Sequence, residues 1–85
     1  IDENYANYVS VYPNPTNSFI NFYITHPNVK SLVVMDIVGT EVLKTSISSE
    51  MTTVNIAAFG NGTYFYRLLG EDGSTLVADK LFKVK

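Results

Sequence analysis

The side chains in this sequence that are suited to catalysis or metal binding are one histidine and a scattered set of carboxylates. His26 stands directly before Pro27, and the chain holds no cysteine and no second histidine with which it could complete an ordinary zinc site. No serine lies in the Gly-x-Ser-x-Gly turn that exposes a hydrolase nucleophile. We therefore predict that His26 is a solvated loop residue, and that the chain has no catalytic residue and no metal ligand.

The carboxylates lack the spacing of a calcium loop. That loop requires alternating acidic or amide residues followed by a glycine, whereas Glu71-Asp72-Gly73 suits the tight turn of a hairpin. An acid and a base on neighbouring strands would also need a concave site, and a chain of 85 residues offers little such surface. We predict a protein that is not an enzyme and uses no cofactor. The carboxylates considered are Asp36, Glu41, Glu50, Glu71, Asp72 and Asp79.

Two further patterns have ordinary structural explanations. Asn61-Gly62-Thr63 matches the acceptor pattern for N-glycosylation, but Asn-Gly is also the preferred pair in a hairpin turn. The aromatic residues could stack on sugar rings, as in carbohydrate-binding modules, or they could fill the core and cover strand faces. Those concerned are Tyr5, Tyr8, Tyr12, Tyr23, Tyr64, Phe65 and Tyr66.

Composition limits the classes of partner. Apolar residues make up 46% of the chain and charged residues 16%, which is typical of a packed domain rather than a disordered linker. A formal charge of -2 leaves no uniformly basic surface for nucleic acid. No apolar run reaches the roughly 18 residues that span a bilayer, and no signal peptide opens the chain. Because the chain begins at Ile1 rather than methionine, we expect a piece of a longer protein whose export signal lies elsewhere.

Short β-rich runs separated by turn residues recur about every ten positions, and no window has a helical period of apolar residues. This pattern predicts an all-β fold, a seven-stranded antiparallel β-sandwich that is immunoglobulin-like, with a small barrel as the alternative. Without cysteine, packing and strand pairing alone must hold it. The predicted strands are Val9 to Tyr12, Phe19 to Thr25, Ser31 to Ile37, Glu41 to Ser46, Thr53 to Ile56, Thr63 to Leu69 and Thr75 to Val84. Hairpin turns are predicted at Gly39 and at Asp72-Gly73, and Asn61-Gly62 is predicted to form a turn into the sixth strand.

Alternation assigns the faces of the strands. Ile20, Phe22 and Ile24 share one face of the second strand and are its predicted core residues. In the third strand, Leu32 and Val34 are predicted to point inward. Apolar residues that point outward from the third and sixth strands would form an apolar outer face if they were exposed. That set is Val33, Met35 and Phe65.

Four short motifs are spaced over nearly the whole chain. They are Tyr12-Pro13-Asn14-Pro15, Asp36-Ile37-Val38-Gly39, Gly62-Thr63-Tyr64-Phe65-Tyr66-Arg67 and Lys80-Leu81-Phe82-Lys83. Each is common in β proteins, but in this order and separation they resemble the C-terminal sorting domain of proteins exported through the type IX secretion system of Bacteroidetes. Two positions depart from the family pattern. Thr40 stands where a basic or amide residue often follows the glycine, and Asp79 precedes Lys80 in a neighbourhood that is often more basic.

The resemblance implies a non-catalytic sorting signal that directs a fused N-terminal passenger through the type IX system across the outer membrane. It implies that outer-membrane secretion components read the last residues and that a sortase then removes the domain. The expected location is the periplasm in transit, then the outer-membrane surface or the extracellular space. We expect residues 1–7 to be the remnant of a linker and residues 8–85 to be the sorting domain. The alternative is an accessory immunoglobulin-like β-sandwich for carbohydrate binding or domain spacing.

By similarity, two sets of residues are assigned. Those predicted to be read by the secretion machinery are Lys80, Leu81, Phe82, Lys83, Val84 and Lys85. Those predicted to be structural are Tyr12, Pro13, Asn14, Pro15, Asp36, Gly39, Gly62, Tyr64 and Arg67.

The charges of the tail give this assignment a physical basis. Lys80, Lys83 and Lys85 supply three of the six positive charges and alternate in part with apolar residues. We expect such a strand to dock its apolar face and present cations on its edge. That arrangement suits the addition of a partner's strand, and it equally suits protection of the edge against aggregation.

Overall fold

The computed structural model of the chain describes residues 5–85, in which seven strands follow one turn of 3₁₀ helix at Tyr5–Tyr8. The predicted all-β fold is confirmed, and the predicted strand bounds are at most two residues from the observed ones. Residues 1–4 of the expected linker lie outside the described residues. In the part that is described, no helix is long and apolar enough to cross a membrane. The strands are β1 (Val9–Tyr12), β2 (Phe19–Ile24), β3 (Ser31–Met35), β4 (Glu41–Ser46), β5 (Met51–Asn55), β6 (Gly62–Leu69) and β7 (Thr75–Lys83).

The strands form two sheets. The first sheet has the order β1-β2-β5 and the second sheet has the order β4-β3-β6-β7. All of these neighbouring strands are antiparallel. Since β3 and β6 are the central strands of the second sheet, β4 and β7 are its two edges.

The core lies between the two sheets. The predicted inward residues Ile20, Phe22 and Ile24 of the first sheet are at most 3% exposed, which confirms the face assigned to β2. The ring of Phe22 meets the ring of Tyr66 edge to face, with centroids 5.1 Å apart. The residues of the second sheet in the same cluster are Leu32, Val34, Tyr66, Leu68 and Leu81. Removing these side chains from water stabilises the fold by roughly 1.5–3 kcal/mol for each large apolar residue.

The third strand ends at Met35 rather than at the predicted Ile37 because Asp36 begins a turn. The Asp36 N–H donates to the carbonyl of Thr40 at 3.0 Å, and the Asp36 carbonyl accepts from Gly39 N–H at 3.0 Å. Asp36 Oδ1 also accepts from the Thr40 N–H at 2.9 Å. Gly39 has a φ of 90°, a conformation that side chains with a Cβ avoid, so the turn predicted there is confirmed. The turn leaves Ile37 71% exposed at its tip.

The β6–β7 hairpin forms in a similar way. Asp72 Oδ1 accepts from Ser74 N–H at 3.0 Å and from Ser74 Oγ at 2.7 Å, and these bonds lower the pKa of the Asp72 carboxyl. Gly73 has a φ of 84° and donates its N–H to the Gly70 carbonyl. The hairpin predicted at Asp72-Gly73 is therefore confirmed, and it fixes the register of the last strand.

Register brings the four sequence motifs to one end of the molecule. Met35 pairs with Phe65, and Phe65 pairs with Lys80. The β3–β4 turn, the start of β6 and the end of β7 therefore lie together at one end of the second sheet. Thr16, just after the first motif, forms a parallel bridge with Lys83 and adds the β1–β2 connection to this end.

Replacement of Phe22 tests the core. We expect Phe22→Ala to lower the free energy of unfolding by about 3–5 kcal/mol, because it removes a fully buried ring. Phe19→Ala is the matched control, because Phe19 lies on the opposite face of the same strand and is 52% exposed. Its expected loss is under about 1 kcal/mol. Urea denaturation measures both, and equal losses would contradict this assignment of faces.

Alkaline pH tests the burial of Tyr66. Burial, and then the negative charge of Asp79, raise the pKa of Tyr66 to about 12. An unfolded tyrosine ionises near pH 10, so the stabilisation is fully present below about pH 10 and is lost as the pH rises through about 12. We expect the free energy of unfolding to fall by roughly 1–3 kcal/mol over that range. Tyr66→Phe should remove this loss, and urea denaturation at a series of pH values would show an unchanged loss if the assignment is wrong.

Candidate functional site

The residues predicted to be read by the secretion machinery are not equally accessible. Leu81 is fully buried in the core and Lys83 is only 7% exposed, whereas Phe82 is 42% exposed. Alternation along the strand therefore sends Leu81 and Lys83 to the inner face of the second sheet and Phe82 to its outer face. The accessible members of the predicted set are Lys80, Phe82, Val84 and Lys85.

Lys83 departs from the expectation that the tail presents its cations on the strand edge. Its stem is buried opposite Gly62, and its Nζ donates to the carbonyl of Val84 at 3.0 Å. A long basic side chain can bury its methylene groups while its charged end finds a polar partner. Lys83 therefore closes the end of the core, and the cations accessible near the C-terminus are those of Lys80 and Lys85.

The outer edge of β7 is covered by residues 14–16, which we call the covering segment. The side-chain amide of Asn14 takes the place of the backbone groups of a neighbouring strand. Its Oδ1 accepts from Phe82 N–H at 3.0 Å, and its Nδ2 donates to the Lys80 carbonyl at 3.2 Å. Thr16 continues the pairing with its backbone. Its N–H donates to the Phe82 carbonyl at 3.0 Å, and its carbonyl accepts from Val84 N–H at 2.9 Å.

The Thr16 side chain is held by hydrogen bonds to nearby backbone groups before and at the start of β2. It is 4% exposed, and its Oγ1 donates to the Phe19 carbonyl at 2.5 Å and accepts from Ser18 N–H at 3.3 Å. Four hydrogen bonds thus run from the Lys80 carbonyl to the Val84 N–H along the outer edge of β7. A partner's strand could add to this stretch of β7 only after the covering segment had been displaced.

The other motif residues have structural contacts. Tyr64 Oη donates to the carbonyl of Gly60 at 2.8 Å, which ties the start of β6 to the connection before it. Gly62, with a φ of 142°, opens β6. Arg67 is exposed on the outer face of the second sheet, where a guanidinium N–H donates to Met35 Sδ at 3.3 Å. Tyr12 ends β1, and Pro13 and Pro15 after it are both preceded by cis peptide bonds.

His26 lies in the loop between β2 and β3, as the sequence predicted, but it is half-buried rather than solvated. Its ring centroid lies 4.6 Å from that of Tyr5 and 4.9 Å from that of Tyr8, and both pairs meet edge to face. Its Nδ1 accepts from Asn28 N–H at 3.1 Å. His26 therefore anchors the N-terminal 3₁₀ turn. Across residues 5–85, no three histidine or acidic side chains are grouped so that they could hold a metal ion.

Exposed aromatic residues also lie on the first sheet. Tyr12 is 44% exposed and Tyr23 is 39% exposed, and they belong to the outer face of adjacent strands. Phe19 is on the same face and is 52% exposed. In contrast, Tyr66 is buried and Tyr64 is half-buried. The aromatic residues considered as sugar-stacking candidates are therefore divided between the core and several surfaces.

The family of the chain follows from a comparison with known protein families. A family model described as a secretion system C-terminal sorting domain matches residues 10–83. Because this span covers nearly all of the 85 residues, the chain belongs to that family, the C-terminal sorting domains of the type IX secretion system. No curated protein and no solved structure gives a significant match to the chain.

The sequence did not predict the covering segment as a partner of β7. Asn14 was assigned a structural role by similarity, but its hydrogen bonds join residues 66 and 68 positions apart. Thr16 was not singled out at all. A threonine just after a turn and before a strand is too common to indicate long-range pairing, so only the folded chain identifies these contacts.

Replacement of Asn14 tests the covering segment. We expect Asn14→Ala to speed exchange of the Phe82 amide hydrogen by about tenfold or more. The Phe82 N–H then has no protein acceptor and is exposed to water. The loss of two solvent-accessible hydrogen bonds should lower the free energy of unfolding by about 0.5–1.5 kcal/mol. Hydrogen exchange followed by NMR measures the first effect and urea denaturation the second.

Asn17→Ala is the matched control for this variant. Asn17 is an exposed asparagine in the same connection, and its Oδ1 accepts only from the neighbouring Ser18 Oγ among the hydrogen bonds described. We expect no change in Phe82 exchange with this control. Unchanged exchange in Asn14→Ala as well would show that Asn14 does not pair with β7.

Proposed function

We propose that this domain is a non-catalytic sorting signal that directs a fused N-terminal passenger through the type IX secretion system across the outer membrane. The observation that carries the proposal is the family match over residues 10–83. We propose further that a sortase then removes the domain. The passage would run through the periplasm to the outer-membrane surface or the extracellular space, and the partners would be the outer-membrane secretion components and the sortase.

The exposed side chains of the terminal residues support a reading mechanism in which the domain stays folded. Leu81 and Lys83 fix the strand to the core, so they present nothing to a receptor in the folded domain. Phe82 and Val84 each leave more than two fifths of their surface accessible beside exposed lysines, at 42% and 43%. Exposed apolar groups flanked by cations can bind a partner through burial and charge together.

We also propose that the two sheets form an immunoglobulin-like β-sandwich rather than a small barrel. The division of the strands supports this. The first, second and fifth strands form one sheet and the third, sixth and seventh lie in the other, as in immunoglobulin domains, although the fourth strand pairs with the third instead of the fifth. The Tyr64 hydroxyl, bonded to a backbone carbonyl four residues upstream near the start of β6, matches the tyrosine corner of immunoglobulin-like domains. Residues 8–85 would be this domain, and residues 1–7 the remnant of the link to the passenger.

A secreted reporter fused in front of the domain tests the sorting role in a cell with a working type IX system. We expect the fusion to deliver the reporter to the surface, and we expect deletion of Leu81 to Lys85 to leave it in the periplasm. Because this deletion also removes Leu81 from the core, a second variant is needed. Phe82→Ser with Val84→Ser and Lys85→Ser keeps both inward residues and should lower surface delivery by about tenfold or more.

The matched control replaces exposed apolar residues of the first sheet. Phe19→Ser with Met51→Ser changes side chains that are 52% and 41% exposed, and we expect full delivery. Thermal unfolding of each purified domain establishes that it is folded. Delivery by the triple serine variant equal to that of the unchanged domain would overturn the role assigned to the tail.

A further inference from the structure

The pairing register places side chains in rows across the outer face of the second sheet. Two rows cross all four strands. A third row lies nearer the C-terminus and involves only β6 and β7. The first row is Ala78, Arg67, Val33 and Lys44, the second is Lys80, Phe65, Met35 and Glu41, and the third is Phe82 and Thr63. The terminal strand therefore contributes only one edge of a continuous surface.

This surface is positive although the chain is negative. Lys44, Arg67 and Lys80 are all exposed there, and they are three of the six basic residues in the chain. Glu41 is the one acidic residue in the rows that cross the sheet. The chain as a whole has a formal charge of -2. Three of the four basic residues in the described strands therefore lie on this face, and the fourth, Lys83, points inward.

The outer face of the first sheet gives the contrast. Its paired outward residues in the described strands carry no charge, so the positive charge of the second sheet is not a general property of the domain surface. Those residues are Ser10, Tyr12, Phe19, Asn21, Tyr23, Met51, Thr53 and Asn55.

Apolar side chains lie among the cations of the second sheet. Phe65 is 36% exposed and Phe82 is 42% exposed, while Val33 is only 3% exposed between Arg67 and Lys44. The expected apolar outer face therefore exists at Phe65, whereas Val33 is buried. Exposed rings beside fixed cations can supply both the buried anchors and the charged surround of a protein interface.

Strand addition is a poor alternative at this place. The outer edge of β7 from Lys80 to Val84 already pairs with the covering segment, so its backbone is not available to a partner. The side chains of the outer face stay accessible while these hydrogen bonds are intact. A receptor that binds the folded domain near its C-terminus would therefore contact the face of the second sheet.

We propose that the outer face of the second sheet, with Lys44, Arg67 and Lys80 around Phe65 and Phe82, docks on an acidic and partly apolar protein surface of the secretion machinery. This inference rests on the proposed sorting function and extends it to strands outside the C-terminal tail. Complementary charge would steer the encounter, and burial of the two rings would hold the complex. Arg67 is oriented for this role by its contact with Met35 on the neighbouring strand.

Charge reversal outside the tail tests the proposal. Lys44→Glu with Arg67→Glu changes the face without touching any residue predicted to carry the C-terminal signal, and we expect about tenfold lower surface delivery of the fused reporter. Lys44→Arg with Arg67→Lys should keep full delivery, because this variant retains both positive charges. Lys44→Glu alone should also lower delivery, and Lys30→Glu is its control for net charge. Each of these single reversals lowers the net charge by about two, and Lys30 is exposed and precedes β3 at the other end of the sheet.

A variant that does not fold is recognised by thermal unfolding of the purified domain. Phe65→Ser then gives a second test on the same face, with Phe19→Ser on the first sheet as its control. Full delivery by both the doubly charge-reversed domain and Phe65→Ser, at unchanged melting temperature, would overturn the inference. Equal losses in Lys30→Glu and in Lys44→Glu alone would also overturn it, because net charge alone would then explain the effect.

Two further outcomes separate this inference from its alternatives. Binding of the purified domain to phosphatidylglycerol vesicles, lost in the double charge-reversal variant, would assign the face to a lipid surface and overturn the protein partner. No vesicle binding supports the protein partner. If the triple serine variant of the tail loses delivery while the face variants keep it, this inference fails alone. If the unchanged domain does not deliver the reporter to the surface, the proposed sorting role itself fails.

Discussion

The structure depends on the burial of alternate side chains between two sheets. The chain has no cysteine, so no disulfide assists this packing. Leu81 is fully buried, and its burial fixes which side of β7 faces the core. Since side chains alternate, placing Leu81 inward also places Lys80 and Phe82 outward. The same contact that stabilises the fold therefore decides which groups near the C-terminus a partner can reach.

The edge strand β7 shows how the fold treats a structure that is open to unwanted pairing. An uncovered edge invites another strand, and edges are commonly protected by charge or by a covering loop. Here the covering segment comes from the connection between β1 and β2, and the Asn14 amide stands in for a backbone group. Both meanings of the tail that the sequence left open, protection and recognition, are then compatible. The backbone edge is protected, and the side-chain face stays accessible.

Alternation made much of the fold predictable. Ile20, Phe22 and Ile24 were assigned inward from period two alone, and the turns at Gly39 and Gly73 from residues that tolerate positive φ. Exposure was less predictable, because it depends on what neighbouring strands place beside a residue. Val33 points outward yet is buried between two long basic side chains, and Lys83 points inward because it follows the register of Leu81. Some strand ends also differ from the predicted ones, as at Asp36, where the side chain accepts a hydrogen bond from the Thr40 N–H and begins a turn.

The sequence by itself determined the fold class, the positions of the strands and the membership of the chain in a family of sorting domains, because these depend on local pattern and on the order of short motifs. Only the tertiary structure decided that Asn14 and Thr16 close the edge of β7 and that Lys44, Arg67 and Lys80 share one face. These relations join residues far apart in the chain. Such pairings are set by sheet order and register, which arise when the core closes and not from any local run of residues.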